Sequence, residues 1–451
     1  MKKNNNSEES HDKFLLKLFE HGVSNAKPKN ILGNFFKFNK KSFSIISGNR
    51  ITNYKNIKKI YPICIGKASV DMAETSKLIL RNFSGKVAEG IIVVNEENAK
   101  KVKGFKIFVS GHPIPTNKGL EASKYIEKYL EKTSKTDLVL LFLSGGGSAL
   151  APYPAGEISL HDKIKVNVEL IESGANIKEI NTVRKHLSKI KGGNFLNFSY
   201  PSNVHCLILS DVVGDDLSSI ASGPTSPDNS TFKDTKRILT NFKIWNRMPI
   251  SIKEYVIKGI KDSKMETPKK GNKLFSSVQN TIIGSNNLCL ESIQNFCRNS
   301  NIKSKIWKKN IEMDVSKLPL LFIKELNKYN RGKKPMVYIS GGETTVKIRG
   351  NGKGGRNQEF ALHFMKLMKK EMPEQKYFLL SAGTDGRDGP TNAAGAIVNH
   401  NSLTQIRSQN INLDKELMNN NSYEVLKKIN SLVIIDGTNT NVADIQLLYL
   451  I

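Results

Sequence analysis

Cysteine is scarce in this sequence: only Cys64, Cys206, Cys289 and Cys297 occur, and none stands in a Cys-x-x-Cys pair or a Cys/His cluster with metal-ligand spacing. That leaves reduced thiols, and Cys64 and Cys206, inside apolar runs, read as small buried hydrophobes. Long hydrophobic runs are also lacking. No stretch of about 18 apolar residues is available to cross a bilayer as a helix, so no membrane association is expected. Behind Lys2-Lys3 there is no apolar segment of signal-peptide length, which makes the cytoplasm the expected location. No repeat at a fixed solenoid period occurs. Acidic residues are outnumbered, 41 against 69 lysines and arginines, for a formal charge of +28. The lysines are spread through segments such as 55–59, 100–106, 253–270 and 303–309, interleaved with Asn and Ile, and no nucleic-acid-binding motif accompanies them. The charge therefore reads as a habit of composition that attracts acidic metabolites, and no nucleic-acid partner is expected.

What is present is a globular composition, 38% apolar and 24% charged, in a chain of 451 residues, longer than one hydrophobic core usually serves. Apolar strand-like runs alternate with helical periodicity: Ile60–Ile65, Ala88–Val94, Phe105–Val109, Leu138–Leu143 and Val204–Leu209, with helices expected over 69–80, 117–132, 159–173 and within 176–191. Strands apolar on both faces, separated by helices, predict a mostly parallel Rossmann-like sheet. The first ten residues are expected to fray, and an amphipathic helix is expected over 11–23. The polar, basic stretch 261–273 is the expected linker, which divides the chain into a large α/β domain (1–260) and a smaller α/β domain (274–451). In the second half the alternation resumes, and Gly341-Gly342 between two extended runs predicts a hairpin and a mixed sheet. A last strand is expected over 433–436.

In an open α/β sheet ligands bind beyond the carboxyl ends of the strands. The residues that follow the apolar runs are Gly66-Lys67, Ser110-Gly111-His112-Pro113, Ser144-Gly145-Gly146-Gly147-Ser148, Ser210-Asp211, Gly341-Gly342-Glu343 and Ser381-Ala382-Gly383-Thr384-Asp385-Gly386. Small residues plus one polar or charged group recur at these ends, and that concentration points to a site. The 144–148 loop can turn several backbone N–H groups towards one anion because its glycines lack Cβ atoms. It is neither a Walker A loop nor a dinucleotide fingerprint. Lys67 can act on a phosphoryl oxygen as a point charge. Arg356, with Asn357 at an expected helix start, can hold an anion together with backbone N–H groups. Asp211 and Asp385 are oxygen ligands of the kind Mg²⁺ uses alongside phosphates, and aspartate beside glycine is equally good turn chemistry. Arg184 and Lys191 add cations near Gly192-Gly193, or form a solvated helix face. His112 reads as an orienting loop histidine.

These blocks, with Asn181-Thr182-Val183-Arg184-Lys185-His186-Leu187-Ser188, Ser210 to Pro224 and Gly352 to Glu359, follow one another in an order that resembles the glycerate 2-kinase family carrying a MOFRL domain. The resemblance spans nearly the whole chain. It implies ATP-dependent phosphorylation of the 2-hydroxyl of D-glycerate in a cleft between a Rossmann-like domain and a smaller one, with Mg²⁺ as cofactor. It also implies that Lys67 and Arg356 match the family's catalytic lysine and arginine. Members of this family have been labelled hydroxypyruvate reductases, a reading that would require NAD(P)H; a basic nucleic-acid-binding protein is a third reading. The sequence departs from the family near its end, where Asp436-Gly437-Thr438-Asn439-Thr440-Asn441-Val442 replaces the usual Gly-Pro-Thr-Gly-Thr-Asn-Val, and at Asp314-Val315-Ser316, where a Gly-Glu helix start is usual.

Overall fold

A computed structural model describes residues 2–39, 42–329 and 335–451. The chain forms two compact units: Ile31–Ile283, and a second made of the first 30 residues together with Gly284–Ile451.

The first unit is built on a sheet whose strands lie in the order Val278–Gly284, Asn203–Leu209, Asp137–Leu143, Lys59–Ile65, Gly90–Asn95 and Phe105–Ser110. From Asn203–Leu209 through to Phe105–Ser110 every pairing is parallel. Asp137–Leu143 and Gly90–Asn95 are buried along their whole length, as their continuous apolar sequences require of strands covered on both faces. From Lys59–Ile65 the chain winds outward through Gly90–Asn95 to Phe105–Ser110. It then returns to lay Asp137–Leu143 on the other side of Lys59–Ile65 and winds away in the opposite direction. The sheet is thus doubly wound, with its topological switch between Lys59–Ile65 and Asp137–Leu143. Helices 160–172 and 177–186 start where the sequence supplies caps: Ser159 accepts from the Asp162 N–H, and Asn176 with Glu179 forms a capping box.

Ahead of Lys59–Ile65, the strands Phe36–Asn39, Ser42–Ser47 and Arg50–Lys55, which the sequence does not announce, form a three-stranded antiparallel sheet. Tyr54 of this sheet meets His205 of the main sheet at 2.7 Å, and His205 meets Thr281 at 2.9 Å. Burial, with Arg50 nearby, pushes the His205 pKa down to about 4, so this link is made by a neutral imidazole.

The stretch 261–273, expected to be a linker, is a belt packed on the first unit. Glu266 accepts from the Phe232 N–H (3.0 Å) and contacts His186 Nε2 (3.1 Å), Thr267 donates to the buried Asp228 (3.0 Å), and Pro268 accepts from the Asp228 N–H (3.0 Å). The boundary between units falls after Ile283, inside a strand, and not at 260–274 as expected.

The helix at the N-terminus runs Lys2–Ser24, so the expected fraying of the first ten residues is replaced by helix from Lys2 on. Its apolar face, Leu15, Leu18 and Phe19, is buried, and it packs on Asn286–Asn299 and on strands of the second unit. The sheet there is mixed, in the order Ser304–Asp314, Met336–Thr345, Asp444–Leu450, Tyr377–Gly383, Gly395–Asn399 and Leu432–Val433. Only the Ser304–Asp314 to Met336–Thr345 pairing is parallel. No hairpin forms at Gly341-Gly342. Met336–Thr345 passes straight through, opposite Ile311 and Glu312 on one side and Asp444 and Ile445 on the other. The last expected strand, 433–436, shrinks to Leu432–Val433, while Asp444–Leu450 is the strand between Met336–Thr345 and Tyr377–Gly383. Among the described residues no helix is long and apolar enough to cross a membrane.

Candidate active site

In the first unit the two strands that flank the topological switch end in Gly66-Lys67 and in the 144–148 loop, and backbone hydrogen bonds tie these ends together. The Lys67 N–H donates to Gly145 O (2.9 Å), the Ser144 N–H to Ile65 O (3.0 Å) and the Ala68 N–H to Ser144 Oγ (3.0 Å). Ser144 is therefore buried and committed to shaping the turn that presents Lys67. Gly146 has φ +84°, and a Cβ there would sit 2.9 Å from His112 Cδ2 and 3.4 Å from Lys67 Cγ. A Cβ on Gly145 would sit 2.3 Å from Asp211 Oδ2. The glycines thus admit Lys67, His112 and Asp211 to one place, the carboxyl ends of three different strands. Burial, and then the neighbouring Lys67, lower the His112 pKa, with Glu97 opposing, so His112 is neutral at pH 7.

Beside the loop lies a cavity of about 210 Å³ whose walls include His112, Gly146, Ser148, Lys163, Arg184 and Lys191. Lys191 is buried and donates to Ser148 O (2.7 Å) and Ser148 Oγ (2.5 Å). Arg184 donates from Nε to Asn167 (2.6 Å), and Lys163 to Leu187 O (2.6 Å). Neither Asp nor Glu lines this cavity, and among the described residues no carboxylate pairs with any of the three cations. Burial pushes down the pKa of all three, and each lysine feels Arg184 besides; Lys163 falls to about 7. Arg184 and Lys191, left open between a cation site and a solvated face, both point into the cavity. Lys163 was missed, because one lysine in a lysine-rich chain carries no signal of where it points.

The second unit treats its arginine in the opposite way. Arg356 opens the helix Arg356–Glu371 and donates to Asp444 through Nε (2.6 Å) and Nη2 (3.0 Å), and to Glu343 through Nη1 (2.5 Å). Burial works against its charge, yet Asp444, Glu343 and Asp388 outweigh it and hold the guanidinium above its ordinary pKa. The helix N-terminus, expected to hold an anion with Arg356, is capped from within the chain. Asp388 accepts from the Asn357 and Gln358 N–H groups (3.1 and 2.9 Å). Asn357, expected to bind substrate, is buried and spends its side chain on Ser381 (2.6 Å) and Asp388 (3.3 Å). Burial and the proximity of Asp444 raise the Asp388 pKa to about 6. Asp385 accepts from the Arg387 N–H at 3.0 Å, as a turn aspartate does. Asp444 was missed, although a lone aspartate in the apolar run Ala443-Asp444-Ile445-Gln446-Leu447-Leu448 is the signature of a buried partner for a cation.

The atypical loop 436–442 keeps an ordered path. Thr438 donates to Thr384 O (2.6 Å), the Val442 N–H donates to Thr384 Oγ1 (2.8 Å), and Thr440 donates to Ala26 O (2.9 Å).

Two family models match this chain: a domain of unknown function, DUF4147, over residues 14–257, and the MOFRL family over residues 336–444. The chain is 38% identical over 392 residues to the glycerate 2-kinase of Pyrococcus horikoshii, covering 86% of each protein. The chain belongs to the glycerate 2-kinase family. It is 34% identical over 395 residues to the D-glycerate 2-kinase of Thermotoga maritima, covering 86% of this chain and 90% of that one. A crystal structure of a glycerate kinase from Thermotoga maritima superimposes with a TM-score of 0.84 at 31% identity, over 98% of this chain and 100% of the other.

Among the described residues no group of three His, Cys, Asp or Glu side chains gathers as a metal cage. A Mg²⁺ carried on nucleotide phosphates needs only one or two carboxylates, since phosphate oxygens and water fill the rest of its shell. Asp211, packed against the glycine loop, fits that demand.

Proposed function

We propose that this protein transfers the γ-phosphoryl group of ATP to the 2-hydroxyl of D-glycerate, giving 2-phospho-D-glycerate and ADP. The observation that carries the reading is the meeting of Lys67, His112 and Asp211 around Gly145-Gly146 at the topological switch of the sheet, where doubly wound folds bind their ligands. In the transfer, the 2-hydroxyl oxygen forms a bond to the γ-phosphorus, the bond from that phosphorus to the bridging oxygen breaks with its electron pair leaving on ADP, and the hydroxyl proton is released to solvent. Charge spreads over the oxygens around phosphorus, so the enzyme's work is positioning and neutralisation. Lys67 supplies a positive point charge beside the loop. Arg356, which the resemblance matches to the family's catalytic arginine, is held by Asp444, and its Glu343 side is exchangeable because Glu343 is half exposed. Mg²⁺ on the phosphates would neutralise further oxygen charge, held by Asp211 or Asp385 directly or through water.

The test is to incubate the purified protein with ATP, MgCl₂ and D-glycerate and to identify the product by its ³¹P resonance against 2- and 3-phosphoglycerate standards. Formation of 2-phosphoglycerate is expected. Absence of product from well-folded protein, or oxidation of NADH by hydroxypyruvate, would overturn the reading.

A further inference from the structure

Three cationic side chains converge on one cavity of about 210 Å³ in the first unit, and among the described residues they find only neutral partners: a backbone carbonyl for Lys163, an amide for Arg184, a serine for Lys191. Cations in a shared, partly dehydrated space repel one another and are driven towards their neutral forms, and an anion entering the space relieves that repulsion and restores their charge. The cavity is too small for a nucleotide and suited to a group of a few atoms. One wall, His112 and Gly146, is the wall that Lys67 also adjoins. Arg184 has both terminal nitrogens available beyond its Nε bond to Asn167, the planar fork that matches a carboxylate.

From this we infer that the cavity bounded by Lys163, Arg184 and Lys191 is the seat of the substrate's carboxylate, and that the nucleotide phosphates lie outside it. The inference rests on the kinase reading and adds the division of labour within it. Arg184 and Lys163 hold the carboxylate of a 2-hydroxy acid. The hydroxyl, on the adjacent carbon, is thereby left at the His112–Gly146 wall beside Lys67. Lys191 locks Ser148, so the loop keeps its shape whether or not the anion is present. Specificity follows: a 2-hydroxy acid fits, while a polyol of the same size leaves the cations unmatched.

Calorimetric titration of the full-length protein with D-glycerate alone, and separately with a non-hydrolysable ATP analogue and Mg²⁺, distinguishes carboxylate from phosphate. For Lys163→Met and Arg184→Gln the dissociation constant of D-glycerate should rise about 10- to 100-fold, the loss of one charge-assisted contact. ATP-analogue affinity should change less than about threefold, within the scatter expected of a contact not made. Lys163→Arg should recover much of the glycerate affinity, which a merely structural lysine would not require. Loss of nucleotide affinity with glycerate affinity intact would assign the cavity to phosphate and overturn the inference. So would unchanged affinity for both ligands. Failure of the wild-type protein to make 2-phosphoglycerate, with glycerate binding still dependent on Lys163, would overturn the kinase reading and leave the carboxylate seat standing. Thermal unfolding of all three variants checks the fold, and substitutions at two separate positions guard against one local distortion.

Discussion

Arg356 and the trio of Lys163, Arg184 and Lys191 are both partly buried positive charge, and the protein deals with them in opposite ways. Around Arg356 the chain supplies Asp444 and Glu343 in direct contact with Asp388 close by, and the guanidinium is held in its charged form. Around the trio it supplies no carboxylate, and every pKa is pushed down. A compensated cation is part of the scaffold, since removing either partner strands the other. An uncompensated cluster costs stability in the free protein and is explained by a ligand that completes it. Lys67 stands apart from Arg356 in another way: it sits at a glycine loop with His112 and Asp211 close by, whereas Arg356 is bound directly by Asp444 and Glu343.

The strongest way to break this comparison is Lys67→Ala. It should lower kcat by about 100- to 1,000-fold, the usual loss for one transition-state charge contact, while the unfolding midpoint stays put. An active Lys67→Ala enzyme would remove that residue from the chemistry. Next in size is Asp444→Ala, which strands Arg356 against a buried strand. A loss of about 3 kcal/mol is expected in urea unfolding, the lower end of the range for breaking such a pair because Arg356 keeps some solvent contact. If Asp444→Ala unfolds like the native protein, the scaffold role fails.

Charge removal in the cavity should have the opposite sign. Lys163→Met should raise stability by about 1 kcal/mol at pH 6, since it deletes an unmatched cation, and the gain should shrink at pH 9. The sign follows from the depressed pKa. Between pH 7 and the ordinary lysine range the unfolded chain binds the proton that folded Lys163 has released, so the penalty in the native protein is full below pH 7 and fades as pH rises. The groups that face Lys163 are Arg184 from the helix 177–186, Lys191 from the turn beyond it and His112 from its strand-end loop, none of which carries negative charge; Asp162 beside it is turned to Ser251. The smallest effect is the corresponding one on binding. An anion favours the charged lysine, so at pH 8 D-glycerate should take up a fraction of a proton, read from calorimetry in two buffers of different ionisation enthalpy. Proton release would contradict the arrangement.

Much of the first unit was legible in the sequence because its information is local. Runs such as Leu138–Leu143 are apolar at every position, and only a strand covered on both faces makes sense of that. The small residues at their ends pointed to the candidate site. The order of strands across the sheet was not legible, because adjacency of Lys59–Ile65 and Asp137–Leu143 is set by which apolar faces the crossover helices must cover. Without it, Lys67 and Gly146 were two separate strand ends. The second unit was read less well for the same reason. Gly341-Gly342 looked like a turn, yet the strand Asp444–Leu450, a hundred residues on, pairs across it and holds it extended. Residues 261–273 looked like a linker because polar residues satisfied by distant partners, Glu266 by His186 and Thr267 by Asp228, are indistinguishable in sequence from polar residues satisfied by water. The expected helix start and the family resemblance both picked out Arg356, and Glu343 stood among the strand ends, but neither their pairing nor Asp444 was legible.

The placement of Asp444 also bears on how the protein comes off the ribosome. The residues from Ile31 to Ile283, which make up one compact unit, all emerge before the mixed sheet, while the first helix, already made, must wait for that sheet to pack on. That sheet cannot close until Asp444–Leu450 has emerged, since this strand bridges Met336–Thr345 and Tyr377–Gly383. The arginine is thus secured only when synthesis has passed the strand that holds it, so a nascent chain interrupted before Asp444 has its glycine-loop site and lacks an anchored Arg356. Synthesis itself sets the order in which the two compact units can be completed.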